Sequence, residues 1–179
     1  ILRVKYAYLH GEDAVPIFPR PSTAEQEVPS DEAKSFFFNQ ACRSASVIRS
    51  GRLPIGGEGD DMLIAGQLRT FLRVGTRYYP GADTYYFPYT PFYEASPSVE
   101  RRIRNIAERY DTILFCLANP NSAQVLDQLE DSGTEVVVLS TLTPVYLAER
   151  GWVETAVAVY GTGEDSAVAG FATLKGMIK

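Results

Sequence analysis

The sequence predicts a three-layer α/β/α sandwich built on a mostly parallel sheet of five or six strands. The first observation is that three short, almost wholly apolar stretches lie within 111–120, 134–140 and 155–161. Such stretches are typical of strands that are buried on both faces. The second observation is that an amphipathic helical stretch follows each of them. Right-handed crossovers then make the strands parallel and place helices on both faces of the sheet.

Composition and charge exclude several classes of partner. The chain has 179 residues, of which 45% are apolar and 22% charged, with a net charge of −5, as in an ordinary globular protein. Lysine and arginine form no cluster that would bind nucleic acid, and no apolar run approaches the about 18–20 residues of a membrane span. We therefore expect a soluble protein with neither a nucleic-acid nor a membrane partner.

The start of the sequence leaves the compartment open. The chain begins at Ile1 rather than at a methionine and shows no signal peptide, which favours a fragment of a longer polypeptide. A signal outside this sequence would decide between the bacterial cytoplasm and a secreted or cell-envelope location.

The cysteines and the histidine predict neither a metal site nor a cofactor. Cys116 lies in an apolar strand and Cys42 in a predicted helix, so both are interpreted as buried free thiols, with a disulfide between them as the open alternative. Neither has the spacing of a metal ligand, and His10 is the only histidine.

Residues 1–30 are predicted to be a linker or docking arm. The stretch 1–9 is apolar enough to pack against another surface. The prolines that follow exclude a continuous helix or a central strand. These prolines are Pro16, Pro19, Pro21 and Pro29. The predicted domain boundary therefore separates an arm, 1–30, from a sandwich domain, 31–179.

The sandwich begins with a helix. Ser30 can cap this helix, which we expect to run to about Ile48, with two acidic residues in its first turn. The stretch 44–55 then passes from the end of the helix into a short strand. The next predicted elements are a strand at 61–66, a helix at 67–75 and a strand at 84–87.

Four later helices each begin with a capping signal. A polar residue followed by proline is typical of a helix start, since proline has the helical φ and needs no amide partner there. In the fourth case, an acidic residue three positions after a threonine resembles a capping box. The four starts are Ser96 with Pro97, Asn119 with Pro120, Thr143 with Pro144, and Thr162 with Asp165.

Two glycine-rich stretches invite comparison with phosphate-binding loops. The glycines of 56–59 precede a strand instead of opening a helix, so they are interpreted as a plain turn. Asp60 and Asp61 are interpreted as solvated residues of the same turn. Gly161 and Gly163 do open a helix after a strand, but acidic residues fill its first turn and would repel phosphate.

Aromatic residues are concentrated between 78 and 93, a stretch with eight tyrosines and phenylalanines. We expect these side chains to pack a strand, its flanking loops or a domain interface. Direct contact with a ligand, such as stacking on a sugar ring, is the alternative.

The stretches 1–9, 33–55 and 158–176 carry a resemblance to a known family. Together with the order of elements, they resemble the C-terminal α/β sandwich domain of glycoside hydrolase family 3, particularly its β-N-acetylglucosaminidase-like branch. The first stretch is similar to the segment that joins the catalytic barrel to this domain, and the second to the opening helix and strand. The third resembles the closing strand and helix. Its matching residues are Tyr160, Gly161, Gly163, Ser166 and Ala169.

The resemblance implies a non-catalytic domain. In that family the nucleophile belongs to an N-terminal (β/α)8 barrel, which is absent from this chain. In the β-glucosidase branch an acid follows the strand that resembles 111–117, but here 118–124 contains none. We therefore expect no catalytic residue here. The parent polypeptide would be a β-N-acetylhexosaminidase-like glycoside hydrolase, and this fragment alone would be inactive.

The implied partners are the barrel of the same polypeptide and, indirectly, its carbohydrate substrate. Ligands of such sheets bind at the carboxyl ends of the parallel strands. The loops there predict six substrate-proximal residues, although capping competes with ligand contact for the first of them. They are Asn119, Asn121, Ser140, Thr141, Tyr160 and Gly161.

The sequence also leaves two other functions open. A stand-alone, flavodoxin-like module for a nucleotide or small metabolite is the alternative, supported by the glycines at 161 and 163. A purely structural interaction domain is a third interpretation, resting on the apolar arm and the aromatic stretch.

Overall fold

The structure is a computed structural model that describes residues 2–10, 21–22, 28–56, 61–89 and 94–178. Two compact units, Ile1–Phe37 and Phe38–Lys179, are distinguished within the chain and are described separately. The predicted boundary between residues 30 and 31 stays a prediction. Pro16, Pro19 and the residues 57–60 lie outside the described part.

The first unit contains helix α1, Leu2–His10, and the start of helix α2, Asp31–Ser44. The sequence predicts that the apolar residues of 1–9 pack against another surface; in this chain Val4 and Tyr6 are exposed. The ring of Tyr6 stacks on that of His10 at 4.3 Å between centroids. The docking of this arm on a partner surface stays a prediction.

Helix α2 begins as predicted and ends earlier. The Ala33 amide donates to the Ser30 hydroxyl oxygen at 3.1 Å, which confirms Ser30 as a cap. The expected end near Ile48 is wrong, because the helix stops at Ser44 and a strand begins at Ser46. Pairing of this segment with a distant strand overrides its helical pattern.

The second unit contains a six-stranded mixed sheet, as the sequence predicts. Its strands are β1 Ser46–Ser50, β2 Met62–Gly66, β3 Asp83–Tyr86, β4 Thr112–Leu117, β5 Glu135–Ser140 and β6 Thr155–Ala158. The helices after α2 are α3 Arg69–Tyr78, α4 Pro97–Ala107, α5 Pro120–Asp127 and α6 Glu164–Leu174, with a 3₁₀ helix at Pro144–Leu147. The strand order is β1-β6-β5-β4-β2-β3, and every pair is parallel except β1 with β6.

Helices cover both faces of this sheet, so the α/β/α sandwich is confirmed. Alternate side chains of a strand point to opposite faces. In β4, Ile113 and Phe115 pack with α4 and α5, whereas Leu114 and Cys116 pack with α3 and α6. All six residues of β4 are buried, as expected for a strand between two helical layers.

The strand order reverses between β2 and β4. From β2 the chain first moves outward to β3, and it then returns across β2 to β4 and continues to β5 and β6. The crossover helix α3 consequently lies on one face and α4 and α5 on the other. In open α/β sheets this reversal opens a crevice at the carboxyl ends of the two strands.

The capping predictions have mixed outcomes. Asn119 and Ser122 form a complete capping box at the start of α5, and the Thr143 hydroxyl accepts from the Val145 amide. Ser96 lies at the N-cap of α4 without a side-chain cap bond. The capping box predicted from Thr162 is wrong, because Gly163 is the N-cap of α6.

The two cysteines are free, so the disulfide alternative is excluded. Cys116 is buried and Cys42 is half-buried. Within the described ranges, no helix is long and apolar enough to cross a membrane.

Candidate functional site

The candidate site is the edge of the sheet where the parallel strands end. Gln67 follows β2, Asn119 follows β4, Thr141 follows β5 and Tyr160 follows β6. These neighbouring loops bring together residues that are far apart in sequence. The edge is therefore polar in its middle, at the reversal between β2 and β4.

Three amide side chains form a hydrogen-bonded cluster at this reversal, which we call the amide cluster: Gln67, Asn119 and Asn121. Asn119 Nδ2 donates to Gln67 Oε1 at 2.8 Å, and Gln67 Nε2 donates to Asn121 Oδ1 at 2.6 Å. Gln67 is 6% exposed and Asn121 is 4% exposed. Their mutual bonds satisfy polar groups that would otherwise be costly to bury.

Asn119 also caps helix α5, the role that the sequence predicts in competition with ligand contact. Its Oδ1 accepts from the Ser122 amide at 2.8 Å, so the helix cap and the amide cluster share one side chain. Gln67 was missed by the sequence interpretation. The available signal was its position as the first polar residue after a buried strand, next to the reversal in strand order.

Ser140 and Thr141 are almost fully buried, with 1% and 2% exposure. The Ser140 hydroxyl donates to the Thr143 carbonyl at 2.7 Å and shapes the loop after β5. The Thr141 hydroxyl has no partner with hydrogen-bond geometry in the described part. It nevertheless lies close to the Cys116 thiol. Burial raises the pKa of that thiol to about 12, and the nearby Thr141 hydroxyl lowers it in part.

Exposed apolar side chains follow β5 and β6. We call Leu142, Val145 and Tyr160 the apolar rim; their exposed fractions are 49%, 60% and 53%. Gly161 follows Tyr160 and is packed closely, because a Cβ there would lie 2.5 Å from Ser166 Oγ. The predicted residues Tyr160 and Gly161 therefore differ in exposure: Tyr160 is open to solvent, whereas Gly161 packs against α6.

The start of α6 holds a carboxylate that is already paired. Glu164 accepts hydrogen bonds from Arg73 and Arg77 of α3, each at 2.7 Å. The hydrogen bond from Arg77 and the charge of Arg73 lower the pKa of the Glu164 carboxyl. Glu164 therefore stays ionised at neutral pH and is a poor proton donor.

No metal centre accompanies these residues, since in the described ranges no group of three or more His, Cys, Asp or Glu could hold a metal ion. The structure brings Asn119 and Asn121 together through Gln67. Ser140 and Thr141 lie in the next loop, and Tyr160 and Gly161 in the one after it. Their closeness to a substrate stays a prediction.

The aromatic stretch packs, as the sequence predicts, for most of its described members. Tyr79 and Phe87 are buried, Tyr78 stacks on Phe171, and Tyr85 packs against the core. Tyr86 and Tyr89 are exposed, while Phe92 and Tyr93 lie outside the described residues.

Comparison with solved structures identifies the fold. A glycoside hydrolase family 3 β-N-acetylglucosaminidase from Paenibacillus sp. str. FPU-7 matches with TM-score 0.69 and 14% identity, over 83% of this chain and 31% of that one. A β-glucosidase from Listeria innocua matches with TM-score 0.68 and 14% identity, over 89% and 27%. A fungal multi-domain family 3 β-N-acetylglucosaminidase matches with TM-score 0.67 and 15% identity, over 89% and 19%.

The chain thus spans about a fifth to a third of the length of these proteins. A scan against protein-family models and a search of curated proteins found no match. Identities this low establish the fold and leave activity open. The predicted resemblance is confirmed at that level: this α/β sandwich has the fold of one part of family 3 β-N-acetylglucosaminidases and of a β-glucosidase.

Proposed function

We propose that this chain is the non-catalytic C-terminal domain of a family 3 glycoside hydrolase of the β-N-acetylglucosaminidase-like branch. In this proposal a (β/α)8 barrel of the same polypeptide carries the reaction. The sandwich packs on that barrel and shapes its sugar site. The fold shared with only a part of larger glycosidases supports this division of roles.

One observation carries the proposal: the loops that follow the neighbouring strands β2, β4 and β5 contain no acid. Retaining glycosidases require two carboxyl-type groups about 5–5.5 Å apart on either side of the scissile bond. The loops 67–68, 118–119 and 141–143 contain no aspartate or glutamate. Glu164, at the start of α6, is held by two arginines. A domain with this edge supplies a wall of a sugar site and not its reacting groups.

The apolar rim is the surface that we expect to meet the barrel. Its three large apolar side chains are exposed on neighbouring loops, a pattern that is typical of an interaction site. The amide cluster lies beside it, where the amide N–H group of Asn119 that is not bound to Gln67 can turn toward sugar hydroxyls. In this arrangement the apolar rim packs against the barrel, and the amide cluster contributes polar groups to the sugar site.

The experiment is an assay of the complete reading frame that contains this chain, beside this chain alone, on p-nitrophenyl β-N-acetylglucosaminide and p-nitrophenyl β-glucoside. We expect turnover by the complete polypeptide, faster on the amino sugar, and none by the chain alone. Turnover by the chain alone would refute the assignment.

A pair of variants tests the docking face in the complete polypeptide. Val145→Asp, in the apolar rim, is expected to lower kcat/KM roughly tenfold, since it places a charge in a desolvated interface. Met177→Asp is the matched control, because Met177 is also exposed but follows the far end of α6. Equal effects of the two substitutions would contradict docking through the rim.

The same preparation discriminates the alternative, a stand-alone nucleotide module. Glu164 and Asp165 occupy the first turn of α6, where a bound phosphate would lie. We therefore expect no change in melting temperature with FMN or ATP, whereas an increase of several degrees would favour the alternative.

A further inference from the structure

The outer edge of strand β3 leaves backbone groups unpaired. β3 is the last strand of the sheet and pairs only with β2. The Phe87 amide donates to the Gly66 carbonyl, so the backbone groups of Phe87 face β2. In a parallel pair, every second residue of a strand directs its N–H and C=O groups to the partner, so the backbone groups of Tyr85 face β2 as well. Thr84 and Tyr86 consequently direct their N–H and C=O groups outward, where no described residue bonds them.

A cleft of about 470 Å³ runs along this free edge. One wall is formed by β3 and the two residues after it, 84–88, and the other by Ser98, Val99 and Arg102 of α4. Consecutive strand residues point to opposite faces, yet all five border the cleft. The cleft therefore lies beside the backbone of β3 and not over one face of the sheet.

The charge of the cleft comes from Arg102, since no carboxylate lines it. Arg102 is exposed and lies over the Tyr85 ring at 5.7 Å, without a hydrogen bond or ion pair in the described part of the chain. The Tyr86 ring likewise has the guanidinium of Arg69 over one face, at 4.4 Å. The rings of Tyr85 and Tyr86 are thus already in contact with arginines. The groups of the cleft that remain available to a ligand are mainly the backbone of β3 and the guanidinium of Arg102.

We propose that this cleft binds an extended acidic peptide segment of a partner protein, which adds to the sheet as a strand beside β3. Backbone hydrogen bonds to Thr84 and Tyr86 provide affinity, as in other proteins that extend an exposed sheet edge. An aspartate or glutamate of the peptide pairs with Arg102, whose planar fork matches a carboxylate. Pro88 has no N–H group and limits the added strand to a short segment. The proposal is independent of the sugar-site role.

The test begins with selection of nine-residue peptides from a random phage-displayed library on this chain. We expect enriched peptides to carry Asp or Glu at a fixed position. A synthetic enriched peptide, measured by fluorescence anisotropy, is expected to bind Arg102→Glu roughly tenfold or more weakly, the loss of one charge-assisted contact. The matched control is Arg101→Glu, an exposed residue of the same helix that does not line the cleft, with affinity unchanged.

Two measurements examine the backbone contacts. Tyr86→Pro removes an outward N–H group while sparing the ladder with β2, so it is expected to abolish binding. Amide exchange of the unmodified protein, followed by NMR, tests the same contact even where the proline variant fails to fold. The peptide is expected to slow exchange at Thr84 and Tyr86.

Several outcomes would overturn the proposal. These are a library without enriched acidic peptides, equal affinity for the Arg102→Glu variant, or unchanged exchange at Thr84 and Tyr86. Displacement of the peptide by chito-oligosaccharide would assign the cleft to sugar instead. A dimer in light scattering that Tyr86→Pro dissociates would assign it to a second copy.

Discussion

Gln67 shows how one buried amide connects two distant loops. It accepts from Asn119 and donates to Asn121, which follow a different strand. The sequence allowed Asn119 and Asn121 to be named as candidates, because both stand just after an apolar strand. Gln67 holds a similar position directly after β2, but its contact with these two residues depends on β2 and β4 being neighbours, which only the structure shows.

Replacing Gln67 with leucine is expected to lower the free energy of unfolding by about 1–3 kcal/mol, because the half-buried Asn119 and the buried Asn121 each lose one hydrogen bond. Urea denaturation measures the change. Gln40→Leu is the control, since Gln40 is exposed on α2 and should change stability little. A Gln67→Leu protein as stable as the control would show that the amide cluster contributes little to folding.

Cys116 makes stability depend on alkaline pH. Burial raises the pKa of its thiol from 9.0 to about 12, so the folded protein keeps a proton that the unfolded chain releases. Between these two values the unfolded state binds fewer protons, and stability therefore falls as pH rises. The unfolding free energy is expected to drop from pH 8 to pH 10.5 by about 2 kcal/mol more than in Cys116→Ala. Urea titrations at the two pH values measure this; parallel losses in both proteins would contradict it.

At the scale of elements, Arg49 explains how the antiparallel strand β1 is held. Its guanidinium donates to the carbonyls of Val153 at 2.7 Å and Leu147 at 2.8 Å, and also to that of Arg150. These carbonyls belong to the 3₁₀ helix and the segment that leads into β6. One side chain therefore connects the edge strand to the element before its partner.

Arg49→Met is expected to cost about 1.5–3 kcal/mol of stability, the range for hydrogen bonds to a charged group. Hydrogen exchange should accelerate mainly in β1, because the other strands keep their ladders. Arg43→Met, on the exposed surface of α2, serves as the control. Uniform acceleration across the sheet would contradict a local role for Arg49.

The elements that the sequence predicts best are those with their own local pattern. β4, β5 and β6 are apolar, and β4 and β5 are each followed by a polar residue and a proline that start a helix, so their positions are predictable. The predicted end of α2 lies about four residues beyond the observed one, because the change from helix to β1 depends on pairing with β6. The cap assigned to Thr162 is also wrong, because Gly163 is the N-cap of α6 and Glu164, its first residue, pairs with two arginines of α3.

At the scale of the whole molecule, both hydrophobic clusters of the sheet are formed by residues 45–174. Among the first thirty residues, none of those that the structure describes takes part in them. Deleting 1–30 should therefore leave the sheet folded, with a melting temperature within about 2 °C of the intact chain. Circular dichroism measures the transition. Loss of cooperative melting would show that the arm is part of the sandwich and would move the predicted domain boundary.

The sequence by itself determined the class of fold, because burial on two faces demands continuous apolar strands and alternation with helices demands a mostly parallel sheet. It also determined that the loops after β2, β4 and β5 contain no acid, since residue identity is read directly from the sequence. Only the tertiary structure decided which strands are neighbours, and hence the contact of Gln67 with Asn119, the antiparallel direction of β1 and the free edge of β3. These features depend on pairing between segments far apart in the chain, which no local pattern encodes.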